Sequence, residues 1–237
     1  MKKTFIILAA LIVLSGSAFA QGFDLSIGPK VGYQTAKLSY HKEDIKSGFA
    51  EHFTIGAFAR IEIGNLYVEP EILWFKSSNV FDLNTNVTHD TIIGDITIPS
   101  GAKLDFTLKA MNIQVPILVG YKFNVIDGIL AIRPQVGPTL NFVIPQQTLV
   151  NQSIGSADPT EIDKETFDTK SIAFGLQGGL GVDVLNFTLD INYNFGISKV
   201  FGANIINNTE LGQYINTNNI SDAHNKMFMV TLGYKFL

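Results

Sequence analysis

Nine charged residues of this chain sit in phase with small or polar neighbours inside otherwise apolar stretches: Lys30, Arg60, Glu62, Glu69, Glu71, Arg133, Asp183, Asp190 and Lys235. In an extended strand successive side chains point to opposite faces, so these charges share one face with Ser, Thr, Gly, Asn and Gln. A charge removed from water persists when it is paired. Four bases against five acids nearly balance, so the chemistry expected of this face is salt bridging, with Arg60 or Arg133 meeting Glu69 or Glu71. Acyl or lipid chemistry would need a nucleophile, a base in hydrogen-bond reach and an orienting acid. The four histidines, His41, His52, His89 and His224, all map to the far ends of strands, and none lies beside a Ser at mid-strand depth. His52 and His224 point to opposite faces by parity, which argues against a shared metal. No catalytic residue, metal ligand or cofactor site is therefore expected. Gly178-Gly179-Leu180-Gly181 has the composition of a phosphate loop but lies inside an alternating strand with no helix after it. Four Asn-X-Ser/Thr sequons, at Asn86, Asn151, Asn207 and Asn219, read as chance in an Asn-rich chain.

The elements that hold these residues are strands. Phe187 to Ser198 alternates without a break: Phe187, Leu189, Ile191, Tyr193, Phe195 and Ile197 on one face, Thr188, Asp190, Asn192, Asn194, Gly196 and Ser198 on the other. Seven further stretches behave the same way, about 24–40, 49–63, 66–77, 103–123, 129–142, 169–184 and 223–236. The links after the second, fourth and sixth are short (Gly64-Asn65, Asn124 to Gly128, Leu185-Asn186), while those after the first, third, fifth and seventh are longer. An even strand count, an apolar face with nothing to cover it, and short links confined to one end describe an eight-stranded antiparallel up-and-down barrel of the outer-membrane type, with short periplasmic turns and long extracellular loops. A soluble sandwich has no reason to sort its links in this way. Inward glycines suit a lumen barely wide enough for side chains. Pro29, Pro70, Pro116, Pro134 and Pro138 cannot donate to a ladder, so bulges or ladder gaps are expected there. Outward aromatics near strand ends, Tyr33, Trp74, Tyr121, Tyr193, Tyr234 and Phe236, are expected to form interfacial girdles.

Composition agrees. Only 16% of the 237 residues are charged, with 21 glycines and 18 phenylalanines, and mean hydropathy is nevertheless positive. Residues 1–20 carry a Lys2-Lys3 start, an apolar run from Phe5 to Leu14 and Ala18-Phe19-Ala20, the pattern of a secretory signal peptide cleaved after Ala20. Residues 21–237 then form the barrel domain. There is no Cys for a lipid anchor or a disulfide. Removing Lys2 and Lys3 makes a formal charge of −4 two units more negative, which argues against a nucleic-acid partner.

Several segments resemble a known family. Leu66-Tyr67-Val68-Glu69-Pro70-Glu71-Ile72-Leu73-Trp74, Asn112-Ile113-Gln114-Val115-Pro116-Ile117-Leu118 with Gly120-Tyr121-Lys122-Phe123, Gln135-Val136-Gly137-Pro138 and Gly233-Tyr234-Lys235-Phe236 are similar, in order, to strands of the Bacteroidetes-type outer-membrane β-barrel proteins, the "porin family" or PorT-like proteins. The resemblance implies an integral barrel of the Gram-negative outer membrane, inserted by the barrel assembly machinery. That machinery commonly reads a terminal aromatic, a part left here to Tyr234 and Phe236 with Leu237 after them. Together with the pattern it leads us to expect a monomeric, non-enzymatic barrel surrounded by outer-membrane lipid. Its polar lumen would be salt-bridged rather than a wide pore, with a narrow ion path as the alternative. An extracellular ligand would be met by the long loops, since binding concentrates in loops on rigid scaffolds.

Overall fold

The computed structural model describes residues 23–39, 50–84, 91–93, 96–98, 103–152, 160–162, 167–199, 201–206 and 224–236. The signal-peptide segment, its cleavage site, His41, His89, and the sequons at Asn86, Asn207 and Asn219 lie outside them. Eight long strands carry the fold: β1 (Phe23–Ser39), β2 (Ala50–Ile63), β3 (Leu66–Asn84), β4 (Lys103–Tyr121), β5 (Leu130–Gln152), β6 (Ile172–Val184), β7 (Phe187–Lys199) and β8 (His224–Tyr234). Each pairs antiparallel with its neighbour in sequence, and β8 returns to pair with β1. The sheet is a closed antiparallel eight-stranded barrel without a long free edge, the arrangement in which every backbone amide of a membrane-crossing sheet finds a partner.

Alternation sets the two surfaces. On β7 the apolar residues Phe187, Leu189 and Ile191 are exposed while Thr188, Asp190 and Asn192 are buried, and β8 and β6 repeat the pattern. The lumen is therefore polar and the outside apolar, the reverse of a soluble protein. Glycines at positive φ close two of the short links, Gly64 (φ 61) and Gly128 (φ 72), and Leu185 (φ 54) takes the same left-handed conformation in the third.

Two expectations change. β3 and β5 run well past their expected ends at Ser77 and Phe142, because the ladder continues from Ser77↔Ala110 to Asn84↔Lys103 and, on the other side of β4, to Leu104↔Gln152. The Thr91 to Ile98 alternation beyond them forms its own ribbon, Thr91–Ile93 against Ile96–Ile98. The link expected at Asn124 to Gly128 is tighter, since Phe123–Ile126 folds back on the start of β5. The prolines interrupt hydrogen bonding without shifting register: paired runs stop and resume with the same offset around Pro70, Pro116 and Pro138 and on the β4 side of Pro134, and the β1–β8 run stops at Lys30 beside Pro29, while Pro29 stays paired with β2 and Pro134 and Pro138 with β6. A register shift occurs instead near Pro145, opposite Lys109 and Ala110.

Ile191 sits in the middle of the outward face of β7, 45% exposed. Ile191→Arg is expected to lower the unfolding free energy of the barrel in lipid vesicles by about 2–4 kcal/mol, read from urea titrations followed by heat-modifiable gel mobility. The same change at Leu185, in the turn, is expected to cost about 1 kcal/mol or less.

Candidate functional site

The inward charges meet in a single network near the turn end of the lumen. Lys30 of β1 projects its ammonium among three carboxylates, with Nζ 2.7 Å from Glu69 Oε1, 2.5 Å from Glu71 Oε1 and 2.7 Å from Asp190 Oδ2. Arg60 of β2 donates from Nε to Glu69 Oε2, and from Nη1 to Asp183 Oδ2 at 2.7 Å. Arg133 of β5 comes from the opposite wall. Its Nε donates to Asp183 Oδ1 at 2.9 Å and its Nη2 to Asp190 Oδ1 at 2.8 Å and to the Thr188 hydroxyl, while Nη1 lies 3.4 Å from Glu69 Oε2. Both arginines thus share Glu69 and Asp183, and Glu71 holds Lys30 instead. Lys30, Arg60 and Arg133 have no side-chain exposure. Nearer the turn end, Lys235 Nζ stands 3.3 Å from Asp183 Oδ2 and Lys122 Nζ 2.8 Å from Glu62 Oε2.

Pairing decides whether such a set can exist. Taking one ion from water into a dry interior costs several kcal/mol, and an adjacent counter-ion with good hydrogen bonds offsets it. Here each buried cation faces at least two carboxylates, and among the described residues five bases (Lys30, Arg60, Lys122, Arg133, Lys235) meet five acids (Glu62, Glu69, Glu71, Asp183, Asp190). Neutral groups complete the shell. The Tyr67 hydroxyl donates to Gln135 Oε1 at 2.9 Å and accepts from Arg133 Nη1 at 3.2 Å. The Phe58 ring lies 4.9 Å from Lys30 Nζ, and the Tyr67 ring 5.4 Å from the Arg60 guanidinium and 5.3 Å from that of Arg133, distances at which a ring face attracts a cation.

Inward glycines make room for these large side chains. A Cβ on Gly120 would stand 2.3 Å from the Tyr67 hydroxyl oxygen, and one on Gly181 would stand 2.4 Å from Asp190 Oδ1 and 2.5 Å from Arg133 Nη2. On β8, a Cβ at Gly233 would meet Thr188 Cγ2 at 2.7 Å and Lys30 Cγ at 3.1 Å, so the bare backbone lets residues of β1 and β7 approach across the strand between them.

Toward the loop end the lumen changes character. Gln114 Nε2 donates to Gln177 Oε1 at 3.2 Å, Asn141 Nδ2 to Asn112 Oδ1 at 3.0 Å and Asn194 Nδ2 to Thr139 Oγ1 at 2.9 Å. The side-chain amide of Gln34 and the hydroxyls of Thr54 and Thr231, all buried, find no protein partner. This neutral layer depends on water for its remaining hydrogen bonds. Within it, buried Phe75 of β3, in register with Thr54 and Asn112, packs with buried Met227 of β8, in register with Asn194; the two strands do not pair, so the contact crosses the lumen.

Lys122, Tyr67, Gln135 and Thr188 belong to the network but were absent from the charges singled out in the sequence. Lys122 follows the last residue of β4 in the inward parity of Gln114 and Leu118, so the alternation carried that signal. The candidate aromatics fall in two groups. Tyr33 and Trp74 are exposed and Tyr193 half-buried on the loop side, and Tyr193 lies 4.5 Å from Phe195 between ring centroids. Tyr121, Tyr234 and Phe236 are exposed on the turn side, with Tyr121 4.6 Å from Phe123, and Tyr234 5.2 Å from Phe187 and 5.4 Å from Phe236. His52 accepts a hydrogen bond at Nε2 from the Ser78 amide at 3.0 Å. The described group of carboxylates close enough to share a metal, Glu69, Glu71 and Asp190, is the one already gathered around Lys30.

Residues 6–236 match the family described as "Outer membrane protein beta-barrel domain". Solved structures with similar folds include Neisserial surface protein A (16% identity, 90% of this chain and 99% of that one, TM-score 0.41), the attachment invasion locus protein Ail of Yersinia pestis (11%, 89% and 98%, 0.37) and a major outer membrane protein of Thermus thermophilus (12%, 88% and 99%, 0.36). No curated protein matches the sequence.

Lys30→Met would leave Glu69, Glu71 and Asp190 facing one another without their shared ammonium. It is expected to lower the unfolding free energy by about 3–5 kcal/mol, measured by urea titration in vesicles. Lys235→Gln should cost far less, because Asp183 keeps both arginines. Gly120→Val is expected to destabilise the barrel by displacing Tyr67, and pairing it with Tyr67→Ala should recover part of the loss in a double-mutant cycle.

Proposed function

The chain belongs to the outer membrane protein beta-barrel domain family, and from that premise we propose that it is a closed, non-enzymatic scaffold of the Gram-negative outer membrane whose long extracellular loops meet a surface ligand. The single observation that carries this reading is the lumen's own filling. Arg60 and Arg133 come from opposite walls and share Glu69 and Asp183, with both guanidinium groups fully buried. Moving them apart to admit a solute would strand buried charges, which is costly. The Phe75–Met227 contact across the lumen is a second obstruction.

Five finer assignments complete the proposal. The strand motifs around Pro70, Pro116 and Pro138 favour the Bacteroidetes-type, PorT-like branch of the family. The leader is cleaved after Ala20, the barrel assembly machinery inserts the strands, and the mature barrel is a monomer. The asymmetry of the links supports the orientation, with Gly64-Asn65, Asp127 to Ile129 and Leu185-Asn186 on the periplasmic side.

In planar bilayers the refolded barrel is expected to give no current steps above the bare membrane. Large, stable conductance would overturn the closed lumen. Lipid A from producing and non-producing cells is expected to be chemically identical, and a modified species in the producing cells would point to an enzyme. Replacing residues 207–221 with a short turn should leave the heat-modifiable mobility unchanged and abolish binding to glycan or matrix arrays. Retained binding would remove that loop from the recognition surface.

A further inference from the structure

We propose that the turn-side mouth of the lumen binds the carboxylate end of a peptide that terminates in a small aliphatic residue; that the peptide comes from the periplasm rests on the orientation given above. A cavity of about 150 Å³ opens there, between the β4–β5 link, the β6–β7 turn and the end of β8. Three charged residues line it: Lys122, Lys235 and Asp183. Asp183 already accepts from Arg60 and Arg133 as well as from Lys235. Each lysine makes one hydrogen bond to a described residue, Lys122 to Glu62 at 2.8 Å and Lys235 to Asp183 at 3.3 Å, although an ammonium has three donors. Both side chains are partly exposed, unlike that of Lys30. Of the other described acids at this end, Glu62, Asp24 opposite it on β1, and Asp127 in the β4–β5 link do not line the cavity. The lining therefore holds one more base than acid, and a single carboxylate balances it.

The rest of the wall identifies what the carboxylate is attached to. By parity Ile129 continues the inward row of Ala131 and Arg133, and Leu185 that of Gly181 and Asp183, while Ile126 stands past the bulge that follows Asn124. All three line the cavity and are exposed. Aliphatic residues on the lipid-facing rows are ordinary in this fold, whereas three together at the foot of polar inward rows are an apolar surface that lipid does not cover. Leu185 is there against the preference of the backbone. It takes φ 54, the conformation that Gly64 and Gly128 supply in the other two short links, and in which a Cβ crowds the neighbouring carbonyl. Glycine would relieve that crowding, so the leucine side chain serves another purpose, and the cavity wall is the one it meets. The Leu185 amide donates to the Ile129 carbonyl at 2.8 Å, which ties the turn to the link and holds the aliphatic wall on the same cavity as the two ammonium groups. A space of about 150 Å³ takes a group the size of a benzene ring. That suits a carboxylate with one short aliphatic side chain, the remainder of the peptide lying outside the mouth. A phosphate would meet the lysines and leave the aliphatic wall bare.

The test uses the full barrel, methyl-labelled and refolded in a non-ionic maltoside detergent, with four probes: N-acetyl-Gly-Val, its C-terminal amide, acetate and inorganic phosphate. Titration followed by NMR is expected to show the peptide acid shifting the methyl signals of Ile126, Ile129 and Leu185 saturably. The amide, acetate and phosphate are each expected to bind about tenfold more weakly or worse. Lys122→Gln with Lys235→Gln is expected to weaken the peptide acid by about tenfold or more, while Lys76→Gln, on the outer face of β3, leaves it unchanged. Leu185→Gly separates a binding role from a structural one: its urea midpoint is expected to equal or exceed that of the parent, while affinity for the peptide acid falls several-fold. Equal binding of the amide, equal binding of acetate or phosphate, or full binding by the double lysine variant or by Leu185→Gly would each overturn the site. If the double variant does not fold, Lys235→Gln alone carries the test, with a several-fold loss expected. Detergent leaves both mouths open, so the titration does not depend on orientation. Protease digestion of the 207–221 link on intact cells reports the orientation, and conductance reports the lumen, so failure of the site is distinguishable from failure of either.

Discussion

A sheet that crosses lipid must satisfy all of its backbone within itself, and the barrel does so by pairing β8 with β1. Eight strands closed in this way leave an interior only wide enough for side chains. Those side chains cannot all be apolar without reversing the alternation that makes the outside greasy, so the narrow interior is polar, and polar groups in so small a space must satisfy one another. The Lys30, Arg60 and Arg133 cluster, the glycines beside it and the amide layer above it all follow from that closure. The same constraint accounts for the neutrality of the network, since there is no bulk water inside to screen a surplus.

Much of this was legible in the sequence because the period of a strand is two. Once Phe187 to Ser198 is read as a strand, the faces of Asp190 and Ile191 are decided, and the same holds for Lys30, Arg60 and Glu69. The short links could be read because Gly64-Asn65 and Gly128 have the turn chemistry that such links need. Partners were less accessible. Arg60 meets Asp183 across 123 positions of chain, and that pairing depends on the stagger accumulated from strand to strand, which no local pattern contains. The strand extensions to Asn84 and Gln152 were obscure for a different reason: Asn, Asp and Gln in them weaken the apolar signal, and the ladder with β4 overrides it. The prolines acted more mildly than their chemistry suggests. Each removes one donor, and the neighbouring ladder bonds hold the register across the gap.

The aromatic residues divide their work by parity. Outward ones lie exposed or half-buried on the apolar outer surface, whereas inward Phe58 and Tyr67 lie against cations and act as part of the electrostatic filling. Tyr67 does so only because Gly120 offers bare backbone opposite its hydroxyl. A large ring and an absent side chain on paired strands are one structural unit, so substitution at either is felt at both.

The bare backbone of Gly233 has a consequence for assembly. Through it Lys30 of β1 reaches Asp190 of β7 across β8. Those residues come together only after the first and last parts of the sheet have met, the contact of greatest sequence separation and the slowest to form. Until then the ammonium and its three carboxylates have no common enclosure. The charge cluster therefore works as a latch on the seam: it rewards the fully zipped cylinder and gives nothing to an open or mis-registered sheet.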